Sequence, residues 1–160
     1  MIMKLNFPRW LWPGFMVWAA GCALTAVTLA GDLKLRSQLV WGTDGTKPEG
    51  QELIELDGKL KEKLKALRWK NYWVIKSEES QVTDKEHRAQ LGKCAVNLRQ
   101  VGPGLLEVKL FSITADGKHK HLRTVTEPIE KLDKGGALVI GGDSKDSWND
   151  AWMVIISTTR

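Results

Sequence analysis

The side chains in this chain best suited to chemistry are tryptophans. Beyond the first thirty residues the sequence holds Trp41, Trp69, Trp73, Trp148 and Trp152, with a single tyrosine, Tyr72. In the run Arg68-Trp69-Lys70-Asn71-Tyr72-Trp73, an extended backbone places Trp69 and Trp73 on one strand face, four residues apart. Flat indoles beside Asn and Lys donors can stack on sugar rings or nucleobases, so Trp69, Asn71 and Trp73 form the candidate ligand-binding set. The competing role is packing, because an indole buries much apolar area and its N–H needs only one partner. Trp41 and Trp152 lie in strongly apolar segments and are expected in the core.

Metal chemistry has weaker support. His119 and His121 are two apart and share a strand face, where Cys94 or His87 could complete a transition-metal set. Lys118 and Lys120 beside them oppose a cation. The loop GGDSKDSWND, residues 141–150, gathers Asp143, Asp146, Asn149 and Asp150, which suit a hard cation. Its spacing does not follow a calcium-loop pattern, and Asp, Asn, Ser and Gly also make ordinary turns. The weak metal candidates are therefore His119, His121, Asp143 and Asp146.

Catalytic signatures are missing. Ser144 lacks the second glycine of a nucleophile elbow, no S-x-x-K occurs, and Glu86-His87 has no second histidine one helical turn away. No phosphate-cradling or dinucleotide glycine motif is present, and no cofactor is implied. With three histidines in the chain, the enzymatic alternative is a small secreted hydrolase pairing Asp143, Asp146 or Asp150 with His87, His119 or His121.

These side chains need elements to hold them. Leu53, Leu56, Leu60, Leu64 and Leu67 recur at spacings of three and four, which predicts one amphipathic covering helix over about residues 52–68. Gly58 weakens such a helix and allows a later start with Asp57 as N-cap. The other segments read as strands: 32–42, 72–82, 93–101, 105–114, 119–128, 137–140 and 151–157. Gly102-Pro103-Gly104 and Ala115-Asp116-Gly117-Lys118 make hairpin turns between them. Residues 151–157 are apolar on both sides and so belong at the centre of a sheet. Leu106, Val108 and Leu110 share a face while Phe111 and Ile113 take the other, which predicts a bulge or a two-sided strand. The expected fold is mainly β (α+β), an antiparallel β-sandwich or partly open barrel, as a single domain over residues 31–160.

The first thirty residues read separately. Lys4 and Arg9 precede an uncharged apolar run over residues 10–31, the layout of a secretory signal peptide. Ala30 with Thr28 supplies the small residues a signal peptidase needs, which predicts cleavage after Ala30. A retained membrane anchor through residues 10–30 is the second reading. The third is lipidation: Ala19-Ala20-Gly21-Cys22 resembles a lipobox, which implies a lipid on Cys22. Each places residues 31–160 outside the cytoplasm, periplasmic or secreted, with membrane contact only through the N-terminal segment. Removing Lys4 and Arg9 from the 24 basic residues leaves 22 against 19 acidic ones, a net charge of +3. That balance argues against nucleic acid as a partner. The expectation is an exported, non-catalytic binding or structural domain of the bacterial cell envelope, meeting envelope glycan or another exported protein.

Overall fold

A computed structural model describes residues 33–47, 49–50, 52–143 and 150–159. The N-terminal segment with its processing residues, Cys22 and Ala30, lies outside them, as do Asp146 and Trp148. The described chain is mainly β, in the order β1 (Leu33–Thr43), β2 (Ile54–Glu55), α1 (Gly58–Lys63), β3 (Asn71–Val82), β4 (His87–Leu91), β5 (Cys94–Gln100), β6 (Leu105–Ile113), β7 (His119–Pro128), α2 (Ile129–Asp133), β8 (Ala137–Asp143) and β9 (Ala151–Thr158).

Two antiparallel sheets result, one ordered β2-β3-β1-β9-β8 and the other β4-β5-β6-β7. Period-two alternation decides which side chains lie between them. Leu35 and Leu39 of β1 and Val154 and Ile156 of β9 meet Val96, Leu98, Val108 and Leu110 of the second sheet in one buried cluster. The opposite face of the first sheet has its own apolar layer, with Val40, Tyr72, Met153 and Ile155 under Leu56 and Leu64. β9 is thus buried on both faces, between β1 and β8, as its unbroken apolar run requires.

The covering helix is much shorter than the leucine spacing predicts. Ile54 and Glu55 are extended and pair with Val74 and Trp73 of β3. The helix begins at Gly58, where the Asp57 carboxylate accepts from the Lys59 amide at 3.0 Å, and it ends at Lys63. Glycine disfavours a helix interior and Asp favours the N-cap, so residues 57–58 start the helix rather than being spanned by it. Of the leucine stripe, Leu56 and Leu64 are buried, Leu60 is half-buried, and Leu67 is 37% exposed. The buried part of the stripe therefore comes from the residue after β2, from the helix and from its C-cap in succession.

β4 is a strand that the sequence pattern does not predict. Its residues, His-Arg-Ala-Gln-Leu, offer only Ala89 and Leu91 as apolar side chains, yet both are fully buried. Two bulges adjust the strands. One inserts Ile75 opposite the Leu39/Val40 step of β1. The other sits where β6 passes from Leu110 to Phe111, with the extra residue, Leu122, on β7. The Asp116-Gly117 hairpin forms as predicted, with Gly117 at φ +78. Helix α2 follows β7 and plugs the gap between the terminal strands β7 and β8, burying Leu132 in the main core. Among the described residues no helix is long and apolar enough to cross a membrane.

Candidate functional site

The tryptophans are brought together in a way the linear sequence does not display. β1 alternates without a break, with Leu39 in the main core and Val40 in the outer apolar layer, so Trp41 takes the inter-sheet face. Antiparallel pairing then sets Trp41 directly opposite Trp73 on β3 and opposite Trp152 on β9. The three indoles form one cross-strand row on neighbouring strands. Trp41 and Trp152 stack, with centroids 6.2 Å apart and planes at 20°. Such pairs add ~0.5–1.5 kcal/mol beyond the area they bury. The Trp73 Nε1 is buried with no hydrogen-bond partner among the described residues. At the other end of the row Trp152 is 39% exposed, and its partner on β8 is Gly142.

Trp69 is not in this row. The expectation that Trp69 and Trp73 share a strand face is corrected: Trp69 precedes β3 and packs in the outer apolar layer of the first sheet. A Cβ on Gly42 would meet the Trp69 ring at 3.0 Å, so glycine at this position lets the indole lie against the strand. Trp73 occupies the opposite face. Asn71, the third candidate, has a structural role, since its Nδ2 donates to the Gly45 carbonyl at 2.8 Å. The neighbouring Lys70 amide donates to the Asp44 carboxylate, and together these bonds close the loop after β1. The Tyr72 hydroxyl donates to the Leu64 carbonyl at 3.1 Å, tying the chain after α1 to β3. Burial, and then the nearby Asp44 charge, raise that hydroxyl above the usual tyrosine value.

A cleft of about 740 Å³ opens between the turn that follows α1 and the β8–β9 end of the first sheet. Its apolar wall includes Leu64, Trp69, Trp152 and Met153, and its charged residues, among those described, are Lys63, Arg68, Arg123 and Asp150. The Arg68 guanidinium lies 5.4 Å from the Trp69 ring centroid. The Asp150 Oδ1 is buried without a hydrogen-bond partner among the described residues. Among the described residues no histidine lines the cleft. Sequence reasoning missed Arg123, which sits on a polar strand far from any tryptophan in sequence.

The histidines lie elsewhere. His119 and His121 flank Phe111 on the second sheet, with ring centroids 6.4 and 5.4 Å from it, and the Arg88 guanidinium stands 5.7 Å from the same ring. The His121 Nε2 pairs with the Thr124 hydroxyl at 2.8 Å. Among the described residues no three His, Cys, Asp or Glu side chains gather at a metal-binding distance. Of the two loop acids in the weak metal set, Asp143 ends β8 and Asp146 lies outside the described residues. Cys94 is half-buried against the main core, and burial pushes its thiol up to about 11.

No family model matches this chain, and neither does any curated protein or solved structure.

Proposed function

We propose that this protein is an exported, non-catalytic binding domain of the cell envelope whose ligand is a glycan held at the tryptophan row and its adjoining cleft. The observation that carries this reading is the exposed end of the row. Trp152 keeps a large fraction of its indole open beside a cleft that also holds Trp69. An exposed, stacked indole at a concave site is suited to the apolar face of a sugar ring. The secretory layout of residues 1–30 makes an envelope glycan the apt partner, with another exported protein as the other occupant of the same surface. The hydrolase alternative has less support, because among the described residues the cleft that holds Asp150 has no histidine to act with it.

The test is a fluorescence titration of the full chain against soluble neutral and acidic oligosaccharides, alongside a hydrolase screen on the same sugars. Saturable change in tryptophan emission without turnover, abolished in Trp152→Ala, is the expected result. Turnover that disappears in Asp150→Asn would replace this reading with the hydrolase. No response to any sugar would end it.

A further inference from the structure

The second sheet carries an uneven share of the charge. Residues 81–128 are described without a break, so every strand and turn of that sheet is in view. Over residues 87–128 seven Lys and Arg side chains stand against three acids, Glu107, Asp116 and Glu127. Some of these cations are held by acids: Arg99 pairs with Glu107, Lys109 with Glu86, and Lys118 with Asp116. Lys93, Lys120 and Arg123 form no ion pair among the described residues.

The topology gathers the unpaired cations around one hairpin. Lys93 occupies the β4–β5 turn, and its carbonyl accepts from the Ile113 amide at the end of β6 at 2.9 Å. The turn after Ile113 leads into His119, Lys120, His121, Leu122 and Arg123 of β7. β7 is the last strand of its sheet, paired to β6 alone, and residues 119–124 are all exposed. The undescribed residues 144–149 hold one base and one acid, Lys145 and Asp146, and add no net charge.

Leu122 separates this surface from an ordinary solvated face. It is the extra residue of the β7 bulge, and it is 53% exposed between His121 and Arg123. A soluble polyanion meets the cations and offers the leucine nothing. The boundary of an anionic bilayer suits both, since charged headgroups attract Lys and Arg while the acyl-chain margin takes an apolar side chain.

We infer that the β6–β7 hairpin docks on an anionic lipid surface, with Lys93, Lys120 and Arg123 toward the headgroups and Leu122 between them. This contact is separate from the tryptophan row and from any anchorage through residues 10–30.

Co-sedimentation of the full chain with vesicles of phosphatidylcholine, with and without phosphatidylglycerol, tests it. At low salt the mixed vesicles should bind about tenfold more tightly than the neutral ones. That difference should shrink as salt is raised. Lys120→Gln and Arg123→Gln should each weaken binding to the mixed vesicles about fivefold, the share of one base near such a surface. Leu122→Ser should weaken it as well. Lys109→Gln makes the same charge change at a paired side chain on the same sheet, and it should leave binding unchanged. Equal losses in Lys109→Gln and in the two hairpin variants would show that net charge alone acts, and would overturn the inference. Binding to both vesicle types alike, indifferent to salt, would assign the membrane contact to the N-terminal segment and do the same. So would no binding to either vesicle. Polygalacturonate binding as tightly as the mixed vesicles, with Leu122→Ser without effect, would replace the lipid with an acidic polymer. Should one hairpin variant fail to fold, the other decides, with Lys109→Gln as its reference.

Discussion

Trp41 sits in the middle of the row, between Trp73 and Trp152, and is half-buried. Trp41→Ala removes a stacking partner and part of a core wall together. It should cost about 2–3 kcal/mol, below the ~3–5 kcal/mol of a fully buried aromatic residue. Trp152→Ala, at the open end, should cost less than about 1.5 kcal/mol, the scale of one aromatic pair. Urea denaturation of the two variants orders them; a larger loss at Trp152 would move the supporting role from the middle of the row to its end. Cys94 makes a second prediction at this scale. Its half-buried thiol, raised to about 11, is almost wholly protonated at neutral pH and so a poor nucleophile. Alkylation of the native protein by iodoacetamide should be far slower than in urea, as read by mass spectrometry.

Among the elements, the segment between β1 and β3 shows how a leucine stripe is shared out. Leu64 is 3% exposed while Leu67 is 37% exposed. Leu64→Ala should cost ~2–5 kcal/mol, the usual loss for a buried leucine. Leu67→Ala should stay within about 0.5 kcal/mol in chemical denaturation, as for most surface changes. Equal losses would mean that residues 64–67 continue the helix after all. The turn after α2 is more constrained. A Cβ on Gly136 would lie 1.9 Å from the Lys131 carbonyl oxygen, a backbone atom that cannot step aside. Gly136→Ala should therefore destabilise the α2–β8 connection and lower the thermal midpoint.

At the scale of the whole molecule, the outer side of the second sheet carries a charge network. Lys109 bonds Glu86 at 2.9 Å and approaches Glu107, which also accepts from Arg99 at 2.8 Å. The hydrogen bond from Lys109, helped by one from Asn97, holds the Glu86 carboxyl below its ordinary value of 4.5. The same bond holds Lys109 above its ordinary 10.5. For a lowered acid, the stabilisation is present above the ordinary value and is lost as pH falls through the folded one. For a raised base, it is present below the ordinary value and is lost as pH rises through the folded one. The pair is therefore intact across neutral pH. Glu86→Gln should flatten the acid limb of the stability curve below the ordinary carboxyl value of 4.5 and change neutral stability only slightly, because both groups are solvated. Export is the other prediction at this scale. N-terminal sequencing of protein recovered from the cell envelope should begin at Gly31. A lipid-modified Cys22 would select the lipoprotein reading, and an intact Met1 in the cytoplasm would refute export.

Much of the architecture is legible in the sequence because it depends on local pattern. The alternation Leu33-Lys34-Leu35-Arg36, the Asp116-Gly117 turn and the apolar run of β9 each encode backbone shape within a few residues. The mainly β character and the two-sided burial of β9 follow from them. Leucine spacing misleads over residues 52–68, because Leu56 after a short strand, Leu60 in a short helix and Leu64 at its C-cap can meet one layer without a continuous helix. β4 escapes notice because two small or isolated apolar residues carry its burial. Trp69, Asn71 and Trp73 are close in sequence, yet the bend before β3 sends the two indoles to opposite faces and spends Asn71 on a loop carbonyl. The line through Trp73, Trp41, Trp152 and Gly142 depends on registers among four strands spread over more than a hundred positions. A one-residue slip reverses a strand's faces, and the bulge at Ile75 is such a shift. Composition determined that tryptophans were available. Only the pairing of distant strands, set by how each strand could bury its apolar side, decided which of them stand together.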